Sequence, residues 1–210
     1  MKVLIGTTNP SKVKRFEDLL SGYDIEFYTL KDFDIIAEPD EKGNTPEENA
    51  IIKVKYYSQY FDVVICNDSG LYFDGLPLTD SRQPGLNIRT PDGINRLDDE
   101  QMIKYYSKLI SSLGGKVTAF YLDGIAVYNK GKITSFMDNG ELTKTESFYM
   151  VSTASLRRHK GWPLDSLSIN KATNKYFVDY KESESKDNIF VNDYRNRIVK
   201  FLIGSLELDK

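Results

Sequence analysis

Apolar positions along the chain fall first into two short unbroken runs, Val3-Leu4-Ile5 and Val63-Val64-Ile65-Cys66. Runs that short with no polar interruption predict strands buried on both faces. Between them the period changes. Val13, Phe16, Leu19 and Leu20 recur at helical spacing behind Asn9-Pro10, an N-cap followed by proline at the first helical position. Ser21-Gly22 ends that helix, and Ile25 to Leu30 reads as a strand. Thr45-Pro46-Glu47-Glu48 is a capping box, opening a helix that carries Ala50, Ile51, Val54, Tyr57 and Phe61.

Beyond Cys66 the pattern predicts that the strand stops and Asn67-Asp68-Ser69-Gly70 turns. Leu76 to Gly93, with Pro77, Pro84, Gly85, Pro91 and Gly93, reads as a long ordered loop with room for a short helix. Asp98 to Leu113 is an amphipathic helix ended by Gly114-Gly115. Val117–Tyr128, Lys132–Asp138 and Thr143–Thr153 read as strands, with turns at Asn129–Gly131 and Asn139-Gly140. Tyr194 to Leu202 reads as a final helix, and the charged run Lys181 to Asp187 as a solvated loop. The pattern is α/β: a βαβ-like first half, strands clustered in the second, and no clean linker. Residues 1–210 are therefore expected to form one domain of two lobes around a shared sheet.

Composition narrows the chemistry. With 28 Lys+Arg against 31 Asp+Glu, the net charge of −3 argues against a nucleic-acid polymer as partner. One cysteine, Cys66, and one histidine, His159, exclude an internal disulfide and multi-Cys or multi-His metal sites. No apolar stretch approaches the ~20 residues that cross a bilayer, and no leader is visible. The expectation is a cytoplasmic protein with no membrane partner. A Cys66–His159 thiolate–imidazole pair is the counter-reading, set against a cysteine that simply packs at a strand end.

Four features carry candidate chemistry. Thr7-Thr8-Asn9-Pro10-Ser11-Lys12 joins a strand to a helix whose free first-turn N–H groups and positive dipole end favour an anion; it equally reads as a capped helix with a surface lysine. Asp68, with Ser69 and Gly70, lies at a strand end, where a carboxylate could hold Mg²⁺ or orient water; it equally reads as a turn. Glu38, Asp40 and Glu41 offer hard oxygen ligands or a solvated acidic loop. Asn49 and Lys53, four apart, share a helix face, where the lysine could meet a phosphate or pair with Glu48 or Asn49. Trp162 and Tyr194 could stack on a base or serve the core. Together, cations, a helix N-terminus and acidic oxygens are what phosphoryl chemistry needs.

TTNPSK at Thr7–Lys12, ENAIIKVK at Glu48–Lys55 and NDSGL at Asn67–Leu71 resemble the T-x-N-x-x-K, E-N-A-x-x-K-A and D-D-S-G-L blocks of the Ham1/inosine-triphosphatase family, in the same order and spacing. Pro84-Gly85 with Arg89 resembles its next block. The resemblance implies an elongated mixed sheet of two lobes flanked by helices, a central nucleotide cleft and a homodimer. It implies Mg²⁺-dependent hydrolysis of ITP, dITP or XTP to the monophosphate and pyrophosphate. Carried across, Asp68 falls on the catalytic aspartate, Glu41 and Asp68 on metal ligands, and Thr7, Thr8, Asn9, Lys12, Lys53, Ser69 and Gly70 on the triphosphate site. Trp162, Asp165, Tyr194 and Arg195 fall on the base site. The sequence departs from the family at Asn67, where the family has aspartate, and at Tyr194, where it has histidine. These departures motivate two alternatives, a non-catalytic nucleotide-binding protein and a pyrophosphatase with a changed base preference, Maf-like or for modified pyrimidine triphosphates.

Overall fold

A computed structural model describes residues 1–35, 37–77, 79–138, 140, 143–180 and 192–208. The charged run Lys181 to Asp187 and Asn139 lie outside these residues. The strands are β1 (Lys2–Ile5), β2 (Glu26–Thr29), β3 (Val63–Phe73), β4 (Lys116–Asn129), β5 (Lys132–Met137), β6 (Phe148–Val151) and β7 (Ser168–Ile169). The helices are α1 (Pro10–Leu19), α2 (Pro46–Tyr57), α3 (Asp99–Ser112) and α4 (Asn192–Leu206). The fold is α/β with one open mixed sheet in the order β2-β1-β3-β4-β6-β7, and β5 pairs with β4. β1 runs parallel to β2 and β3, whereas β4 is antiparallel to β5 and β6.

Three expectations change. β3 does not stop at Cys66; it continues through Asn67-Asp68-Ser69-Gly70 to Phe73. The Asp-Ser-Gly turn is therefore absent, because these residues still have a sheet neighbour in β4 after β1 has ended. Thr143–Glu146 forms a 3₁₀ turn rather than the start of a strand, so β6 is only four residues long. The Leu76 to Gly93 loop contains no helix among its described residues; Gly85 instead bridges Leu71.

The chain divides into two compact units. The first comprises Met1–Ser69, Leu122–Leu142 and Val191–Lys210. Val3–Ile5 of β1 and Val63–Cys66 of β3 are buried on both faces, as the unbroken apolar runs require. On one face Val3, Ile5, Val63, Ile65, Ile125 and Val127 pack against Phe16 and Leu20 of the α1 segment and Ile198, Leu202 and Leu206 of α4. On the other, Leu4, Val64, Cys66 and Ala126 pack against Ala50, Val54 and Tyr57 of α2. The second unit, Gly70–Tyr121 and Thr143–Phe190, has its own core around Phe73, Met102, Tyr106, Ile110, Phe148 and Leu167.

Candidate functional site

Strand alternation sorts the NDSG residues. Val64 and Cys66 face α2, so Asp68 does too; Val63 and Ile65 face α1 and α4, so Asn67 and Ser69 follow them. The two faces build two polar clusters, both in the first unit.

On the α2 face, Thr45 caps the helix, its Oγ1 accepting from the Glu48 amide at 3.1 Å. The reciprocal half of the expected capping box is displaced by one residue: the Glu48 carboxylate accepts from the Asn44 amide instead. One turn on, Asn49 is 4% exposed and donates Nδ2 to Asp68 Oδ2 at 2.9 Å. Its Oδ1 accepts from the Gly43 amide at 2.8 Å, which seats the acidic loop on the helix. Only glycine permits that approach, since a Cβ on Gly43 would meet Asn49 Oδ1 at 2.6 Å. Lys53 then bridges two carboxylates, with Nζ 2.8 Å from Glu41 Oε2 and 3.2 Å from Asp68 Oδ1. Burial alone would lower the Lys53 pKa, but Asp68 and Glu41 outweigh it and hold the ammonium above its ordinary value. Of the three acidic loop residues, Glu41 reaches the site; Asp40 pairs with exposed Lys42.

On the α1 face, Ser69 Oγ donates to Asp123 Oδ1 at 2.6 Å, and Arg15 Nη1 lies 2.7 Å from Asp123 Oδ2. The Tyr194 hydroxyl also interacts with Arg15. Burial would lift the Asp123 carboxyl, but Arg15 and the Ser69 hydrogen bond hold it below the usual carboxylate range. The sequence reading missed Arg15 and Asp123. Their signals were present: Arg15 stands three residues after Lys12, and Asp123 is a charge before glycine inside an apolar strand.

Lys12, at the end of the TTNPSK turn, feels the charges of both clusters, Lys53 and Asp68 on one side and Asp123 and Arg15 on the other. The first-turn amides of α1 are not free as expected. The Asn9 side chain accepts from Ser11, the Asn9 carbonyl accepts from Lys12 and Val13, and Pro10 has no N–H. Thr7 Oγ1 accepts from the Asn9 amide. Anion contact therefore passes to the side chains of exposed Thr8 and half-buried Lys12. Among the described residues no carboxylate is in ion-pair contact with Lys12. Burial, followed by repulsion from Lys53, lowers its pKa, opposed by Asp68 and Asp123.

Asn67 is 1% exposed, and neither of its amide atoms has a hydrogen-bond partner among the described residues. Tyr194 is buried against Phe136, and the Arg195 guanidinium donates to the Asp18 carbonyl. In the second unit, Trp162 is 40% exposed beside His159, whose Nδ1 pairs with Asp165 at 3.1 Å. Burial raises the Asp165 pKa, opposed by His159. Gly70 lies in the second unit, within β3. Each half of the Cys66–His159 counter-reading is otherwise engaged: burial pushes the Cys66 thiol well up, and His159 pairs with Asp165.

Glu41 and Asp68 suit a hard divalent cation, because the Lys53 ammonium shows that their oxygens already converge on a single positive charge. No group of three or more His, Cys, Asp or Glu residues among the described residues forms a metal cluster; Mg²⁺ held partly by phosphates needs only one or two carboxylates.

The model of the Ham1 family matches residues 3–147. The chain is 33% identical over 135 residues to a dITP/XTP pyrophosphatase of Thermoanaerobacter pseudethanolicus, covering 64% of this chain and 66% of that protein. It is 35% identical over 140 residues to the dITP/XTP pyrophosphatase of Listeria monocytogenes, covering 64% and 65%. The chain thus spans just under two thirds of these relatives. In fold it is similar to the Staphylococcus aureus Ham1 protein (TM-score 0.69, 20% identity, 97% of this chain and 99% of that one). It is similar also to a HAM1 protein from Coxiella burnetii (TM-score 0.73, 18% identity, 97% and 99%).

Proposed function

The chain belongs to the Ham1 family, and from that premise we propose that it hydrolyses non-standard nucleoside triphosphates such as ITP, dITP and XTP to the monophosphate and pyrophosphate. Relatives named dITP/XTP pyrophosphatase support the reaction class. The observation that carries the reading is the charge balance of the first unit. Three cations, Lys12, Arg15 and Lys53, face three carboxylates, Glu41, Asp68 and Asp123; only Lys12 is without an ion-pair partner among the described residues. A half-buried ammonium left over in this way is a seat for a phosphate.

The side chains of Thr8 and Lys12 bind the triphosphate at the positive end of α1, on a turn that Thr7 and Asn9 hold through their own hydrogen bonds. Glu41 and Asp68 would hold Mg²⁺, which supplies charge neutralisation on the phosphate oxygens when bound. Asn49 and Lys53 fix the Asp68 carboxylate, which orients the attacking water and takes its proton. The water oxygen bonds to the α-phosphorus, the α–β bridging bond breaks, and pyrophosphate leaves with the electron pair. Lys12 and Lys53 offset the charge that develops. Trp162 and Asp165 are proposed base contacts on the second unit; Tyr194, buried in the core of the first, and Ser69, whose hydroxyl donates to Asp123, do not serve as ligand contacts. A cytoplasmic homodimer that clears deaminated nucleotides is the biological setting this reading implies.

Pyrophosphate release from ITP, dITP, XTP, dUTP and ATP with Mg²⁺ tests it: turnover is expected to be fastest with the first three. Asp68→Asn should lower turnover by about a hundred-fold or more while leaving nucleotide binding measurable. Wild-type-like turnover in that variant removes Asp68 from the mechanism. The buried, unpartnered Asn67 amide favours one second reading, a nucleotide-binding protein without turnover. Tight binding of every triphosphate with no pyrophosphate released would select it.

A further inference from the structure

Asp123 is a carboxylate in the middle of a strand, and its side chain is only 13% exposed. A charge so placed must be compensated. Its two oxygens are divided between two elements: Oδ1 accepts from Ser69 of β3 and Oδ2 pairs with Arg15 of α1. Each partner stands next to a residue of the proposed phosphate site. Ser69 follows Asp68 directly in β3, and Arg15 lies three residues after Lys12, on the same side of α1. The Tyr194 hydroxyl of α4 completes the network at Arg15. Alternation puts Asp68 on the opposite face of the sheet, so Asp123 can act on it only through the chain.

We propose that Asp123 is a positioning residue of the polyphosphate site: its carboxylate locks Ser69, beside Asp68, and Arg15, one turn from Lys12, into a single register of β3, β4 and α1. The proposal rests on the functional reading above and names a residue which that reading does not use. It has two chemical consequences. The Ser69 hydroxyl proton is committed to Asp123, so Ser69 Oγ is not a donor to phosphate while that bond stands. The Arg15 charge is cancelled locally, which leaves Lys12 as the cation presented to the ligand. A displacement of about 1 Å in such an arrangement costs up to ~100-fold in rate.

The test uses the full chain, with kcat, KM and thermal midpoint measured on the best triphosphate of the panel. Asp123→Asn is expected to lower kcat by about ten- to a hundred-fold. Ser69→Ala should lower it too, and the two together should lose less than the product of their separate effects, because both break one bond. The apolar pair Arg15→Met/Asp123→Leu separates positioning from stability. Replacing an ion pair by packed apolar groups commonly preserves stability, so this variant should melt near the wild type yet remain slow. Recovery of both stability and rate in the apolar pair overturns the proposal. So do independent, multiplicative losses in the first pair of variants, or an Asp123→Asn rate within about two-fold of wild type. If Asp123→Asn does not fold, the apolar pair decides alone: folded and slow supports the role, folded and fast overturns it. A wild type inactive on every triphosphate overturns the reading of the site and this proposal with it. An active wild type indifferent to Asp123 removes the positioning role only.

Discussion

Lys12, Lys53 and Arg15 are chemically alike and sit in different circumstances. Lys53 is held by Glu41 and Asp68, and Arg15 by Asp123; Lys12 has only longer-range neighbours. Removing Lys12 therefore relieves the fold of an uncompensated charge while depriving a triphosphate of its partner. Lys12→Ala should melt no lower than the wild type. It should raise KM by about ten- to a hundred-fold, equivalent to the ~1.5–3 kcal/mol of a charged hydrogen bond. Steady-state kinetics with a thermal melt checks both halves. At this scale the sequence was legible wherever chemistry clusters in a few consecutive residues. Asp68, Lys12, Lys53 and Glu41 stand in short polar blocks, and the structure brings Asp68, Lys53 and Glu41 into direct contact. Arg15 and Asp123 went unread because each makes sense only beside the other, and they are remote in the chain.

Among the elements, α2 bears most on the site, since it carries Asn49 and Lys53 and anchors the loop of Glu41. Its seat on the sheet depends on Gly124 in β4, where an added Cβ would lie 2.1 Å from the Glu47 amide nitrogen and 2.2 Å from the Pro46 carbonyl carbon. Both are backbone atoms that no rotamer change can move aside. Gly124→Ala should lose about 1–3 kcal/mol in denaturant unfolding. Hydrogen exchange at the α2 amides should rise, and activity should fall with the loss of the Lys53–Asp68 contact. Exchange unchanged in α2 would contradict this account. Helices α1 and α2 could be read in advance because their caps, Asn9 and Thr45, act within one turn, and α3 because its apolar positions recur at helical spacing up to Gly114-Gly115. β3 was read too short because its middle residues, Asn67-Asp68-Ser69-Gly70, read as a turn, and pairing with β4 holds them in the strand.

For the whole molecule, stability should follow the shifted groups. Asp123 and Asp99 are held below the ordinary carboxylate range, and Asp80 and Asp92 at about 2. Between those folded values and the unfolded ~3.9 the unfolded chain binds more protons, so stability rises with pH there and is lost as pH falls through the folded values. Asp165, raised by burial, works in the opposite sense. Denaturant midpoints should therefore drop from about pH 4 downward. Asp123→Asn should make that drop shallower; an identical slope in the variant would remove Asp123 from the balance. At the alkaline end the Lys53 contribution is lost as pH rises through its raised value, while Lys12, lowered, opposes the loss.

What the sequence determined alone was local: apolar runs that make doubly buried strands, caps that start helices, and motif blocks that mark the family. These depend on residues within a turn or two of one another, so the linear order contains them. What only the tertiary structure decided was which charges meet. Strand order and register put Asp123 against Ser69 and Arg15, and brought Glu41 and Asp68 to the same ammonium. A pairing across the sheet is a property of two distant stretches and of the core that aligns them, and no single stretch of the chain encodes it.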